Sequence, residues 1–173
     1  MARERQEFLN TLQDSYSAYY NIFPAAEEEA PLVFRAEYFS RAEKYWLSKS
    51  ITVWGNETNE YAFIYAADSF DRETAERCVE AALAEALPKV RPHKEHQYTN
   101  VKTVFVADSF TPEALKYLKK RKFEKSYKFS LHGFTMLKIA AVDLQAESAV
   151  TNPAGHELGD YFKKLFAAGR KKT

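Results

Sequence analysis

The sequence has little cysteine and glycine, and it has no long apolar segment. One cysteine among 173 residues excludes a disulfide within the chain and favours a reducing compartment. Five glycines argue against a loop that cradles a nucleotide. No stretch approaches the ~20 apolar residues of a membrane-crossing helix. We therefore predict a cytoplasmic protein with no membrane partner.

The sequence also lacks an excess of charge of either sign, and it lacks the common catalytic motifs. A formal net charge of +1 does not favour bulk electrostatic capture of nucleic acid, although it is compatible with a local basic patch. The chain contains no Gly-x-Gly-x-x-Gly, phosphate-binding loop, Cys-x-x-Cys or Gly-x-Ser-x-Gly. We expect no cofactor, and we interpret the one cysteine, Cys78, as a small core residue rather than a nucleophile.

What the sequence does contain is a stretch that occurs twice. Apolar runs at 61–67 and 104–107 each lead into Ala-Asp-Ser-Phe, at 67–70 and 107–110, and then into a helical pattern. Short continuous apolar runs are typical of strands that are covered on both faces. Because a helix separates the two runs, a right-handed crossover should make them parallel neighbours.

The whole pattern predicts one α/β (α+β) domain over residues 1–173. We expect a mixed sheet of five to seven strands, with an amino-terminal antiparallel meander and the parallel pair, packed by four helices. Residues 168–173 form a basic tail, which is the part of the chain that we expect to be mobile.

Local signals predict where individual elements begin and end. Apolar residues at three- and four-residue steps predict a helix over 3–21 that Pro24 ends. Polar residues predict a turn at 40–44 and a loop at 55–59. Strict alternation predicts a strand over 125–131.

Asp68 and Asp108 follow the two repeated strands, at the edge where open sheets usually bind ligands. Together with His132, which is set among strand residues, they are the candidates for a metal-dependent or acid-base hydrolase. The alternative is that the two aspartates only turn the chain and that His132 is a hydrogen-bonded structural histidine.

His93 and His96 are candidate metal ligands. At a three-residue step both imidazoles would face one ion if the segment were helical. A third ligand is missing nearby, and the alternative is a surface loop with two ordinary histidines.

Two basic segments, 89–94 and 116–128, are candidates for binding nucleic acid, and aromatic residues are interleaved in the second. Phosphate contacts combined with aromatic stacking hold single strands. The alternative is a solvated lysine face near a helix carboxyl end. The candidate binding residues are Arg91, His93, His96, Tyr98, Lys120 and Arg121.

The element order over roughly residues 3–110, helix, three strands, helix, strand, resembles the core of restriction-endonuclease-like nucleases. That resemblance implies a metal site with an acidic residue on the second strand and, on the third, Asp or Glu, one further residue and Lys. Here this strand begins Glu60-Tyr61-Ala62, and the chain contains no Asp-x-Lys or Glu-x-Lys. The resemblance therefore implies a degenerate member that binds nucleic acid without catalysis.

The segments 91–98, Arg-Pro-His-Lys-Glu-His-Gln-Tyr, and 127–134, Tyr-Lys-Phe-Ser-Leu-His-Gly-Phe, are similar to an uncharacterised family of small bacterial cytosolic proteins. This resemblance implies a fold and no mechanism. Our favoured interpretation is a non-catalytic protein of unknown role that binds a macromolecular partner or itself. Trp46 and Trp54, on the strand face opposite the predicted core, are the candidate contacts of a homodimer.

Overall fold

A computed structural model describes residues 2–45 and 52–170. These residues form a mixed seven-stranded sheet with helices on both faces, which confirms the predicted fold class. The strands are β1 (Asn21–Pro24), β2 (Leu32–Tyr45), β3 (Thr52–Phe70), β4 (His96–Phe110), β5 (Glu124–Ser126), β6 (Phe134–Asp143) and β7 (Ser148–Thr151). The helices are α1 (Ala2–Ser17), α2 (Arg72–Ala86), α3 (Pro112–Lys120) and α4 (His156–Arg170).

The strand order is β1-β2-β3-β4-β6-β5, and β7 also pairs with β6. β1, β2 and β3 form an antiparallel meander, whereas β3, β4 and β6 run parallel. The predicted parallel neighbours are therefore confirmed, and Ala67 and Phe70 of the first repeat lie beside Ala107 and Phe110 of the second.

Capping residues begin both helices that follow the repeated strands. The carboxylate of Asp71 accepts a hydrogen bond from the Thr74 amide at 2.7 Å, and the hydroxyl of Thr111 accepts one from the Ala114 amide at 3.2 Å. Pro112 is the first residue of α3, where its fixed φ suits a helix and its missing N–H costs nothing.

The sheet separates two apolar cores. On one face α2 and α3 cover Phe63, Phe105 and Ile139, and on the other α1 and α4 cover Ile64 and Val104. Each fully buried side chain of this size contributes about 1.5–3 kcal/mol. Burial of both faces of β3 and β4 is what the continuous apolar runs predicted.

Cys78 lies in the core beneath α2 and is a free thiol. Burial raises the pKa of this thiol to about 11, so that it is protonated at neutral pH. Its placement agrees with a small core residue and gives no support to a nucleophile.

Two segments that we predicted to lie between strands belong to strands. The predicted turn at 40–44 belongs to β2, and the predicted loop at 55–59 belongs to β3. Both predictions are wrong because the two segments pair with each other across the meander, for example Ser40 with Thr58 and Arg41 with Glu57. Pairing supplies backbone hydrogen bonds that outweigh the turn preference of single residues.

The other boundary errors are at the chain start and before β6. α1 ends at Ser17, residues 18–20 turn the chain, and Asn21–Pro24 form the short edge strand β1, where a proline is tolerated. The strand predicted over 125–131 stops at Ser126, and a turn with positive φ at three successive residues follows, at Lys128, Phe129 and Ser130.

α4 reaches Arg170, so the first residues of the predicted basic tail are helical. The remaining residues of that tail, 171–173, lie outside the described residues. In the described part of the chain, no helix has both the length and the apolar character needed to span a bilayer.

Candidate polyanion-binding surface

The two repeated carboxylates lie side by side, and an arginine lies between them. β3 and β4 are in register as far as Ser69 and Ser109, so Asp68 and Asp108 leave the sheet at the same edge. Arg5 of α1 donates to Asp68 Oδ1 and, at 2.9 Å, to Asp108 Oδ2. The guanidinium balances one of the two negative charges and ties the start of α1 to both central strands.

His132 lies at the opposite end of the sheet from this pair. It precedes β6, whose first residue, Phe134, pairs with Tyr98 near the start of β4, whereas Asp108 lies near the end of that strand. At about 3.3 Å per strand residue the separation is roughly 30 Å. His132 therefore does not share a pocket with Asp68 or Asp108, and the hydrolase site that combines all three is not assembled.

His93 and His96 direct their ring nitrogens at protein partners. His96 is buried, its Nδ1 donates to the His132 carbonyl at 2.7 Å, and its Nε2 lies 2.9 Å from the Thr99 hydroxyl. His93 Nε2 lies 2.5 Å from a carboxylate oxygen of Glu57. Within the described residues, no group of three or more His, Cys, Asp and Glu side chains is arranged to hold a metal.

The other two candidates in the 91–98 segment make structural contacts. Arg91 donates to the backbone carbonyls of Pro88 at 2.7 Å and Val90 at 3.3 Å. Tyr98 stacks on Phe134 with ring centroids 6.1 Å apart. These contacts close the turn that follows α2 and join the starts of β4 and β6.

Lys120 lies in a broad groove, which we call the lysine groove. The groove has a volume of about 850 Å³ and runs between α3 and β7. Its lining combines four lysines with three apolar residues: Lys116, Lys119, Lys120, Lys122, Leu115, Val150 and Pro153. In the described part of the chain none of these lysines forms an ion pair.

A second cleft, of about 420 Å³, adjoins the lysine groove and shares Lys116 and Lys120 with it. Arg121 lines this cleft, but its guanidinium pairs with Glu80 at 2.8 Å. Arg72, at the start of α2, lies 6.0 Å from the ring centre of Tyr117, which is the aromatic wall of the cleft. The two cavities together form a surface along α3 in which basic residues predominate, with Glu113 as an acidic residue of the second cleft. The floors of the two cavities are apolar and aromatic.

Comparison with known proteins identifies a family for this fold. A family model described as Domain of unknown function (DUF8052) matches residues 4–164, which include all seven strands. The chain belongs to this family. The predicted membership of an uncharacterised family is confirmed. No curated protein and no solved structure matches the chain.

The sequence of this DUF8052 domain did not reveal two features of its surface and interior. Val150 and Pro153 become a wall of the lysine groove through the pairing of β7 with β6, and no local pattern connects them with α3. Lys102 is a buried charge on β4 and pairs with the largely covered Glu60 on β3. For Lys102 the only signal was its position in the sequence, two residues before the predicted apolar run at 104–107.

Proposed function

We propose that this chain is a non-catalytic cytoplasmic protein that binds single-stranded nucleic acid along the lysine groove. The supporting observation is the uncompensated positive charge of four lysines beside an apolar floor. Ammonium groups contact phosphates, while apolar and aromatic surfaces accept unstacked bases. The residues that we assign to phosphate contacts are Lys116, Lys119, Lys120 and Lys122.

The arrangement of the polar groups supports a binding role rather than catalysis. Arg5 already occupies the crevice where Asp68 and Asp108 would act, and the histidines lie at the other end of the sheet. A nucleic-acid ligand on α3 needs none of these groups. This role agrees with the degenerate nuclease-like protein that the element order suggested.

Titration of a labelled single-stranded oligonucleotide, followed by fluorescence anisotropy at several salt concentrations, tests the proposal. We expect measurable affinity at low salt that weakens as salt increases. The double variant Lys116→Gln/Lys120→Gln should reduce the slope of log affinity against log salt by roughly 1.4, because each phosphate contact on a single strand contributes about 0.7.

The matched control is Lys163→Gln/Lys164→Gln on α4, which packs on the opposite face of the sheet. It removes the same charge and should leave the slope nearly unchanged. Absence of binding at low salt, or equal effects of the two double variants, would contradict the proposal.

A second candidate function is self-association through the turn that precedes β6. Phe129 is 99% exposed and Leu131 is 75% exposed, so both apolar side chains point into solvent. The turn is ordered by hydrogen bonds, including one from the Tyr127 amide to the Gly133 carbonyl at 3.0 Å. Because burial of two such side chains favours association, a second copy is the partner that we propose.

Sedimentation velocity of the wild type and Phe129→Ser tests this second role. Loss of a dimer in the variant supports it, and a wild type that stays monomeric at high concentration rejects it. Phe23→Ser on the edge strand β1 is the control, since Phe23 is also exposed. The predicted homodimer contacts, Trp46 and Trp54, do not enter this proposal, because Trp46 and the side chain of Trp54 lie outside the described residues.

A further inference from the structure

A tyrosine-lined cleft lies on the opposite face of the sheet from the lysine groove. It has a volume of about 310 Å³ and opens between the carboxyl end of α1 and the amino end of α4. Lys102 of β4 is the charged residue that the sheet contributes to it. The full lining is Ser15, Tyr16, Tyr19, Tyr20, Lys102, Glu157, Leu158 and Tyr161.

Beside this cleft, the carboxylate of Glu60 is fully engaged. Lys102 Nζ donates to Glu60 Oε2 at 2.5 Å, the Tyr20 hydroxyl donates to the same oxygen, and Asn100 Nδ2 donates to Oε1 at 3.1 Å. Lys102 also donates to the Tyr20 hydroxyl at 3.2 Å. An ammonium group has three N–H donors, so Lys102 retains one for a ligand in the cleft.

Lys138 lies next to Lys102, and its glutamate partner is much more exposed than the partner of Lys102. Lys138 of β6 is the register neighbour of Lys102, and its side chain is only 12% exposed. Its carboxylate partner is Glu157 of α4, at 2.6 Å, and that side chain is 58% exposed. An ion pair with a partner this exposed is weak, so another anion is able to replace Glu157.

Movement of Glu157 into solvent would change the charge of the site. With Glu157 in place, Lys102 and Lys138 are balanced by Glu60 and Glu157. With Glu157 turned away, the ammonium groups of Lys102, in the cleft lining, and of Lys138, behind Glu157, are balanced by one carboxylate, and the site attracts a single negative charge.

The walls indicate the shape of the rest of the ligand. Tyr16, Tyr19 and Tyr161 present aromatic rings to the cleft, and flat aromatic surfaces pack well against a planar ring. The cleft has ample space, because a cavity of about 150 Å³ already holds benzene. The Tyr161 hydroxyl donates to Ser15 Oγ at 2.8 Å, which joins the α1 and α4 walls.

We propose that this cleft binds a small aromatic acid, a planar ring that carries a carboxylate or a phosphate. The acidic group takes the place of the Glu157 carboxylate on Lys138 and accepts the remaining N–H of Lys102. The ring lies among the tyrosines. In the unliganded protein, Glu157 holds the position that the acidic group of the ligand takes over.

Calorimetric titration with benzoate and with phenyl phosphate tests the proposal. Phenol supplies the ring without the charge, and acetate supplies the charge without the ring. We expect benzoate or phenyl phosphate to bind more tightly than phenol and acetate, and the stronger of the two acids identifies the acidic group. Equal or weaker binding of both aromatic acids would overturn the proposal.

The substitution Glu157→Gln distinguishes this proposal from nonspecific binding of aromatic molecules in the cleft. Removal of the competing carboxylate should tighten binding of the aromatic acid severalfold, whereas Lys138→Met should weaken it roughly tenfold, the value of one charge-assisted hydrogen bond. Asp160→Asn, one turn along the same helix and outside the lining, is the control and should change nothing.

Glu157 is largely exposed, so its variant tests the idea even if Lys138→Met folds poorly. A Glu157→Gln protein that binds benzoate and phenyl phosphate no better than wild type would reject the displacement of Glu157. This outcome is independent of the lysine groove, which lies on the other face of the sheet and takes a different ligand.

Discussion

The two faces of the sheet hold lysines in opposite ways. On the face covered by α1 and α4, the Lys102 side chain is 9% exposed and forms an ion pair with Glu60, whose side chain is 13% exposed. On the face covered by α2 and α3, Lys116 and Lys120 are exposed, and no ion pair holds either in the described part of the chain.

The difference follows from the cost of removing a charge from water. A buried ammonium without a partner is strongly unfavourable, so Lys102 is fixed in a network before any ligand arrives. An exposed lysine keeps its hydration and loses little by staying unpaired, and its charge is available to a phosphate. We therefore expect substitution of Lys102 to change stability and substitution of Lys116 and Lys120 to change binding of nucleic acid.

Lys102→Met should have the largest effect on stability. It leaves the Glu60 carboxylate buried without a cation, which costs about 3–5 kcal/mol of the free energy of unfolding. Urea denaturation measures the loss. The double variant Lys102→Met/Glu60→Met should recover most of it, because no buried charge remains. If Lys102→Met were as stable as wild type, the Lys102–Glu60 ion pair would have to be effectively hydrated.

Arg5→Gln should have the next largest effect. The guanidinium bridges Asp68 and Asp108, and the side chain of Asp108 is only 12% exposed. Loss of the bridge leaves two adjacent carboxylates and should cost about 1–3 kcal/mol in urea denaturation. Arg77→Gln on the exposed face of α2 is the control, with an expected change within about 0.5 kcal/mol. Similar losses of unfolding free energy in both variants would mean that the Arg5 ion pairs do not hold α1 on the sheet.

The acid stability of the protein should depend on Glu60. Burial is the largest influence on its pKa and acts to raise it, but the charge and hydrogen bond of Lys102, with the hydrogen bonds of Tyr20 and Asn100, lower the pKa overall. Since the folded pKa lies below the ordinary value of 4.5, the contribution is complete above that pH and is lost as the pH falls further.

Denaturation series between neutral and acidic pH test this dependence. Stability should decline in acid, and Glu60→Gln should show a smaller decline than wild type because the titrating group is absent. Glu76→Gln is the control, since Glu76 lies on the exposed side of α2. If stability declines with falling pH as steeply in Glu60→Gln as in wild type, Glu60 does not cause the acid sensitivity.

Lys116→Gln/Lys120→Gln should have the smallest effect on stability. Both side chains are exposed on α3, so the free energy of unfolding should stay within about 0.5 kcal/mol of wild type. The same protein should lose salt-dependent affinity for the oligonucleotide. A substantial loss of stability would show that these lysines support the fold, and it would end the contrast between the two faces.

The sequence predicted the parts of the fold that depend on nearby residues. The repeated apolar runs marked the central strands, because a strand covered on both faces needs apolar residues at successive positions. The helix starts at Asp71 and Thr111 have a similarly local cause, since each cap bonds an amide three residues away. The meeting of Asp68 and Asp108 also followed from the repeat.

Tertiary structure decided the partners of those residues. Arg5 lies more than sixty positions before Asp68, and its arrival between the two carboxylates depends on how α1 docks on the sheet. The same holds for Lys102 with Glu60 and for β7 beside α3. The run at 55–59 became a strand because β2 lay beside it. Periodicity reports which face of an element is buried, whereas charge pairing and cleft formation depend on which distant element comes to cover that face.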